Sequence, residues 1–243
     1  MRPVTDARSA ARMFAQFLRG APYHLPFSAD ELDHIHSMPV VARRYSPRTA
    51  ITVTRQADLF IDSGWAIAHK SMANGDRVVI DFLQRGDLVT GHSSSGLACV
   101  EATTEVTTFE IQRPWLVAQH PTTARIMVSL MDRNWSIAVE HFANMSRRPP
   151  LDRLACLFLE VAHRLSQSHA GEADRFDFPF TQRDLADALG LTAIHVNRLL
   201  RVLRESELLR FQHWTVEVTN RRGLLERTHF DPEYLEMKIS TSS

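Results

Sequence analysis

The sequence predicts an α+β chain in three parts: an N-terminal antiparallel β-roll, one long helix and a C-terminal winged helix-turn-helix. Three observations predict it. Residues 50–112 are written as short β-branched and aromatic runs with no helical stretch between them. Residues 122–146 contain neither Pro nor Gly and carry apolar side chains at helical spacing. Residues 181–201 have the small-residue and turn spacing of two short helices meeting at a tight corner. A length of 243 residues suits two cores better than one, and 44% hydrophobic with 23% charged residues is an ordinary globular composition. The expected divisions are 1–120 for the roll, 121–147 for the long helix and 148–243 for the C-terminal domain.

The roll is read from the runs AITV, DLFIDSGWAIAHK, RVVIDFL, LACVEA and VTTFEI. No helices are available between them for parallel crossovers, so the pairing must be antiparallel. Asn74-Gly75 lies between two of the runs and is a hairpin signal, because both turn positions favour residues that tolerate positive φ. Ahead of the roll, RPVTDARSAARMFAQFLRG predicts an amphipathic surface helix using Met13, Phe14, Phe17 and Leu18. It has no cleavage pattern, and nothing in the chain reaches the roughly 18 apolar residues needed to cross a bilayer. The expectation is a cytoplasmic protein with no membrane partner.

In the long helix, Ile126, Leu130, Ile137 and His141 run beside a second stripe of Met127, Met131, Asn134, Ala138, Phe142 and Met145. The double stripe is wider than one domain face requires. It predicts a seam for a homodimer through Met127, Met131, Asn134, Ala138 and Phe142, with Asn134 setting the register; burial against the chain's own roll is the alternative. RRPP at 147–150 ends this helix, because proline cannot continue the hydrogen-bond ladder and restricts the residue before it. LDRLACLFLEVAHRLSQ then begins the second domain as another amphipathic helix, and SHAGEADR reads as a polar loop.

The most specific stretch is TQRDLADALGLTAIHVNRLLR, residues 181–201. Ala186 is small enough to let the second helix approach the first, Gly190 permits a left-handed turn, and Val196 and Leu199 fill the wedge beneath. Thr181 with Asp184 reads as a capping box, and Thr192 as the cap of the second helix. With Val196, Leu199, Leu200 and Leu203 turned inward, the outward set is Ala193, Ile194, Asn197, Arg198 and Arg201, with His195 at its edge. Such a face suits the major groove of double-stranded DNA: Arg grips guanine bidentately, Asn grips adenine, and Ile or Ala meets a thymine methyl. Thr192, Ile194, His195, Asn197, Arg198 and Arg201 are therefore the DNA-binding candidates. The bland alternative is an ordinary pair of packed helices, or one that serves protein contacts. LLRFQHWTVEV follows as two β-patterned runs, a hairpin wing whose Arg210, His213 and Trp214 could lie along phosphates. The formal net charge of +0 gives no polyanion signal for the whole chain. Locally, Arg198, Arg201, Arg204, Arg210, Arg221, Arg222 and Arg227 outnumber Glu205, Glu207, Glu217 and Glu226, which predicts salt-dependent binding.

Other chemistry finds little support. Cys99 and Cys156 form no CxxC pair, so neither an iron-sulfur cluster nor structural zinc is expected. The twelve histidines make no HxxxH or HExxH pair, and His34 and His36 sit in a predicted N-terminal helix or loop, so no metal is expected. No nucleophile with its base and no paired carboxylates appear at recognisable spacing, so the chain reads as no enzyme and as needing no cofactor.

Taken in order, the β-roll, long helix, Pro-containing hinge and winged helix-turn-helix resemble the cyclic AMP receptor protein and fumarate-nitrate reduction regulator (CRP/FNR) family of bacterial transcription factors. SGWAIAHKSMANGDRVVIDFLQRGDLV looks like the family's cyclic-nucleotide-binding-like roll, TQRDLADALGLTAIHVNRLLRVLRESELL its DNA-reading motif, and FDPEYL the ending of one proteobacterial branch. The resemblance implies a homodimeric regulator on a palindromic operator, with RNA polymerase as a further partner. It places Arg198 on the arginine that grips guanine, and His195 and Arg201 near phosphate-contacting positions. The chain also departs from the pattern. Members that bind cyclic AMP carry a Gly-Glu pair and then an Arg-Ser pair; here His92 follows Gly91, and no Arg occurs from 86 to 112. A cyclic phosphate buried without its arginine would lose the charge-assisted contact that makes such a site work. The effector is thus expected to be something other than cyclic AMP, or absent, with His92, Ser93, Ser94 and Ser95 as candidate lining. The cysteine cluster of the oxygen-sensing branch is absent, and Ile194 and Ala193 stand where family readers often have Glu or Arg. Three alternatives stay open: a ligand-binding module whose helix-turn-helix meets protein, a haem- or small-molecule-responsive sensor, and an enzyme using the roll pocket.

Overall fold

The computed structural model describes residues 2–3, 6–20, 23, 25, 27–91, 99–112, 121–168 and 173–236. By their contacts, residues up to 70 with 82–134 form one compact unit, and residues 71–81 with 135–236 form another.

The first unit opens with β1 (Arg2–Pro3), α1 (Ala7–Arg19) and α2 (Ala29–Ser37). Asp6 caps α1 by accepting from the amides of Arg8 and Ser9, and Ser28 with Glu31 forms a capping box on α2. The strands are β2 (Val40–Tyr45), β3 (Ala57–Ser63), β4 (Ala66–Ser71), β5 (Arg77–Leu83), β6 (Leu88–Thr90), β7 (Cys99–Ala102) and β8 (Val106–Gln112). They form a five-stranded sheet in the order β1-β2-β8-β3-β6 and a three-stranded sheet in the order β5-β4-β7. β1 with β2, β2 with β8, β8 with β3, β3 with β6 and β4 with β7 all pair antiparallel, as the missing crossovers require.

Alternation along the strands makes two cores. One face of the larger sheet sends Val40, Ala42, Phe60, Leu88, Phe109 and Ile111 against Phe14, Phe17 and Leu18 of α1. The same cluster takes in Ile126, Met127 and Leu130 from α3 (Pro121–Arg147). The opposite face sends Tyr45, Leu59, Ile61, Val89 and Val106 against Ala66, Ala68, Leu83, Val100 and Ala102. The Asn74-Gly75 hairpin forms between β4 and β5, with Gly75 at φ 89 and the Asn74 side chain accepting from the Asp76 amide. Two strand expectations shift: β2 lies ahead of residue 50, and Ala50 makes an isolated bridge to Glu101 instead of opening a strand.

In the second unit follow α4 (Pro150–Ser168), β9 (Arg175–Asp177), α5 (Gln182–Leu189), α6 (Ala193–Glu205), β10 (Leu209–Gln212), β11 (Thr215–Val218), α7 (Arg221–Thr228) and a 3-10 turn, Pro232–Leu235. Phe158 of α4 meets Phe178 and Phe211, and Phe178 meets Phe180 with centroids 4.8 Å apart. The sequence gives no sign of β9; RFD is too short to show a period, and its partner β11 decides it. A buried ionic cluster ties this unit together. Glu160 receives His141 Nε2 at 2.9 Å, the Tyr234 hydroxyl at 2.8 Å and Arg164 Nη1 at 3.2 Å, while Arg164 also reaches Asp81 at 2.9 Å. Burial works against a charged imidazole, but the Glu160 carboxylate beside it prevails and raises His141 to about 9. Burial likewise disfavours ionised Glu160, and His141 with Arg164 holds it well below the usual carboxylate range.

Candidate nucleic-acid interface

The corner at 181–205 is built as its spacing predicts. Thr181 Oγ1 accepts from the Asp184 amide at 3.1 Å while an Asp184 carboxylate oxygen accepts from the Thr181 amide at 2.8 Å, closing the capping box on α5. Gly190 ends α5 in the left-handed region, φ 63 and ψ 40, where a β-carbon would be strained. Thr192 caps α6 through its hydroxyl oxygen, which accepts from the His195 amide at 3.2 Å. Leu185, Ala186 and Leu189 of α5 are buried, as are Val196, Leu200 and Leu203 of α6, with Leu199 half-buried.

That packing leaves Ala193, Ile194, His195, Asn197, Arg198 and Arg201 exposed on one face of α6, Ile194 at 69%. The face is not uniformly available. Arg201 Nε is held by Glu205 one turn on, at 2.7 Å. Asn197 Nδ2 donates to Gln182 Oε1 at 3.1 Å. Arg198 has no ion pair or hydrogen bond among the described residues. The local arginine excess is partly cancelled as well: Arg222 pairs with Glu226, Arg221 with Asp174 and Arg227 with Asp152. The positive potential of this surface therefore rests on fewer cations than composition suggests, with Arg198 among them.

β10 and β11 form the wing, with Arg210 opposite Glu217 and Gln212 opposite Thr215. Its two-residue turn is His213-Trp214, both at positive φ (50 and 64). Non-glycine residues there carry a conformational cost, and Trp214 is left 53% exposed. Phe180, Thr181, Gln182, Phe211, Gln212, His213 and Trp214 line a concave site of about 570 Å³ between the start of α5 and the wing. On the far side of α5, Arg77 from the β4–β5 hairpin reaches both Asp184 and Asp187, the latter at 2.8 Å. Gln182 and Arg77 are functional candidates that sequence reasoning missed. Neither bond joins neighbours in sequence, and no local spacing announces them.

The long helix corrects two of the seam residues. Met127 is 3% exposed, inside the first core. Asn134 donates through Nδ2 to the Leu88 carbonyl at 2.9 Å, so its amide is committed within its own chain. Met131, Ala138 and Phe142 are exposed as expected, and the stripe they belong to is Val128, Met131, Trp135, Ala138, Phe142 and Met145. Those positions step by three and four, the coiled-coil period; a seam through 127 and 134 lies one residue off that line and points at the sheet. The effector candidates His92, Ser93, Ser94 and Ser95 lie outside the described residues. Among the described residues no group of three metal-ligating side chains converges, and no helix is long and apolar enough to cross a membrane.

The chain thus combines a winged helix-turn-helix whose second helix is exposed with a β-roll and one long helix. Residues 152–227 match the family model of the Crp-like helix-turn-helix domain. No curated protein matches the chain. Among solved structures, FixK2 from Bradyrhizobium japonicum is similar at 22% identity and a TM-score of 0.68, over 77% of this chain and 96% of that one. A variant of CooA from Carboxydothermus hydrogenoformans is similar at 17% identity and 0.63, over 84% and 93%. A CRP-family transcriptional regulator from Thermus thermophilus is similar at 16% identity and 0.60, over 79% and 99%. At such identities the structures carry the fold, and the helix-turn-helix match carries the reading domain. Residues 152–227 are thus a Crp-like helix-turn-helix domain, and the chain shares the fold of these CRP/FNR-type structures.

Proposed function

We propose that the protein acts as a homodimer on a palindromic duplex operator. In each copy Arg198 reads a guanine, Asn197 a neighbouring base and Ile194 a thymine methyl, while Thr192, His195 and Arg201 meet phosphates. The observation that carries this reading is the state of Arg198, exposed on the outward face of α6 and unpaired among the described residues. A guanidinium held by none of the described carboxylates is available for the bidentate pair that specifies a base. Residues 1–120 serve as the sensory roll, 121–147 as the dimer helix and 148–243 as the DNA-binding domain. Any effector of the roll acts by preferring one arrangement of the two reading helices, so that binding shifts a population. Cyclic AMP is not that effector, since no arginine from 86 to 112 is present to meet its phosphate; calorimetry with cyclic AMP should detect no binding, and low-micromolar affinity contradicts this. The site of action is the cytoplasm, with RNA polymerase as the further partner. In vitro selection from a random duplex pool tests the whole reading. It should recover an inverted repeat with half-sites about 10 base pairs apart, the spacing two-fold symmetry demands. No enrichment of any sequence at low salt contradicts it.

A further inference from the structure

A side-chain amide on an exposed helix face normally reads DNA ambiguously. Rotated one way it presents an acceptor, rotated the other a donor pair, and in water the two orientations differ little. Gln182 restrains this freedom in Asn197, whose Nδ2 donates to Gln182 Oε1 at 3.1 Å. That bond turns the nitrogen toward α5 and leaves Oδ1, with the second Nδ2 hydrogen, for a ligand. Gln182 is itself anchored through its backbone. It is the first residue of α5, directly after the Thr181 cap, and α5 is held by the capping box and by Arg77 on Asp184 and Asp187. It also lines the concave site beside the wing.

We infer that Gln182 is a specificity-setting residue of this reading surface, acting through Asn197 to choose adenine over guanine at one position of each half-site. The inference rests on the proposed DNA-binding role. In the major groove adenine offers an N6 donor and an N7 acceptor, matching an outward Oδ1 and the remaining Nδ2–H. Guanine offers two acceptors, N7 and O6, so an outward Oδ1 faces O6 and repels it. An Asn197 released from Gln182 can flip and donate both hydrogens to guanine, and the preference collapses. Gln182 is thus a positioning residue for the base-reading side chain.

The experiment measures wild type, Gln182→Ala, Gln182→Glu, Asn197→Ala and the double variant Gln182→Ala/Asn197→Ala against the selected operator. The same set is measured against the operator changed to G·C at the base pair where Asn197→Ala loses discrimination. Melting temperatures equal to wild type establish that each variant is folded. Wild type should favour adenine by about tenfold per half-site. Gln182→Ala should lose most of that ratio with an unchanged salt slope, since no phosphate contact is removed. Gln182→Glu keeps the acceptor and should keep the ratio, while its charge lowers affinity for every sequence. The double variant should match Asn197→Ala, because the two residues act as one unit. Retention of the ratio in Gln182→Ala, its loss in Gln182→Glu, or additive effects in the double variant each overturn the inference. If wild type selects no sequence at all, the DNA-reading proposal beneath it fails instead.

Discussion

α6 and α3 each leave a face uncovered, and the two faces have opposite chemistry. On α6 the exposed set is mainly polar, His195, Asn197, Arg198 and Arg201, with Ile194 and Val202 its large apolar members. On α3 it is Val128, Met131, Trp135, Phe142 and Met145, with Trp135 at 72% and Phe142 at 75% exposure. A polar face rests in water without penalty and can wait for a reversible partner. An apolar stripe cannot, since covering a large side chain is worth about 1.5–3 kcal/mol and soluble monomers seldom leave such a patch open. Under the proposed function the contrast teaches that the two partners differ in kind: a permanent second copy on α3 and a dissociable nucleic acid on α6.

The largest effect should come from charging the stripe. Trp135→Glu with Phe142→Glu places unpaired carboxylates in the seam twice over by symmetry, at several kcal/mol each. The light-scattering mass at micromolar concentration should halve, and operator affinity should fall with it; an unchanged mass moves the seam elsewhere. Next, Met127→Ala should cost about 2–5 kcal/mol of folding stability and leave the mass alone, because that side chain fills the roll's core. Met131→Ala should do the reverse, and exchange of these two phenotypes would restore the seam that the sequence suggested.

A smaller effect tests the ionic cluster around Glu160. His141 is raised in the folded state, so its contribution is complete below about 6.5 and is lost as pH climbs through about 9. Thermal stability should fall by on the order of 2 kcal/mol across that alkaline window, and His141→Gln should flatten the fall. Equal pH profiles for the two proteins contradict the coupling to Glu160. The smallest change is expected for Arg201→Ala. Arg201 already shares its charge with Glu205 in an exposed pair, and its loss should weaken all sequences alike and lower the salt slope by about one.

The two faces also differ in how far the sequence reveals them. The α6 face is legible residue by residue, because a helix-turn-helix is fixed by neighbours: Ala186, Gly190, Thr192 and Val196 determine locally which side turns out. On α3 the helix and an apolar stripe are legible, but the expected stripe takes in Met127 and Asn134, which the structure commits to the first core and to Leu88. Met and Asn suit a dimer seam as well as a sheet contact, and only the position of Leu88 and the first core decides between them. Gln182 and Arg77 escape for the same reason, since each acts through a partner distant in the chain.

Everything proposed for this chain depends on the exposed face of α6 reading bases through Arg198. The most direct test compares Arg198→Ala with wild type on a selected operator and all its single-base variants at fixed salt. The expected result is a loss of about 1–3 kcal/mol per half-site and a flattened preference at one base pair, repeated symmetrically in the other half-site. Full affinity with full selectivity in Arg198→Ala would contradict the assignment of the reading helix and the function built on it.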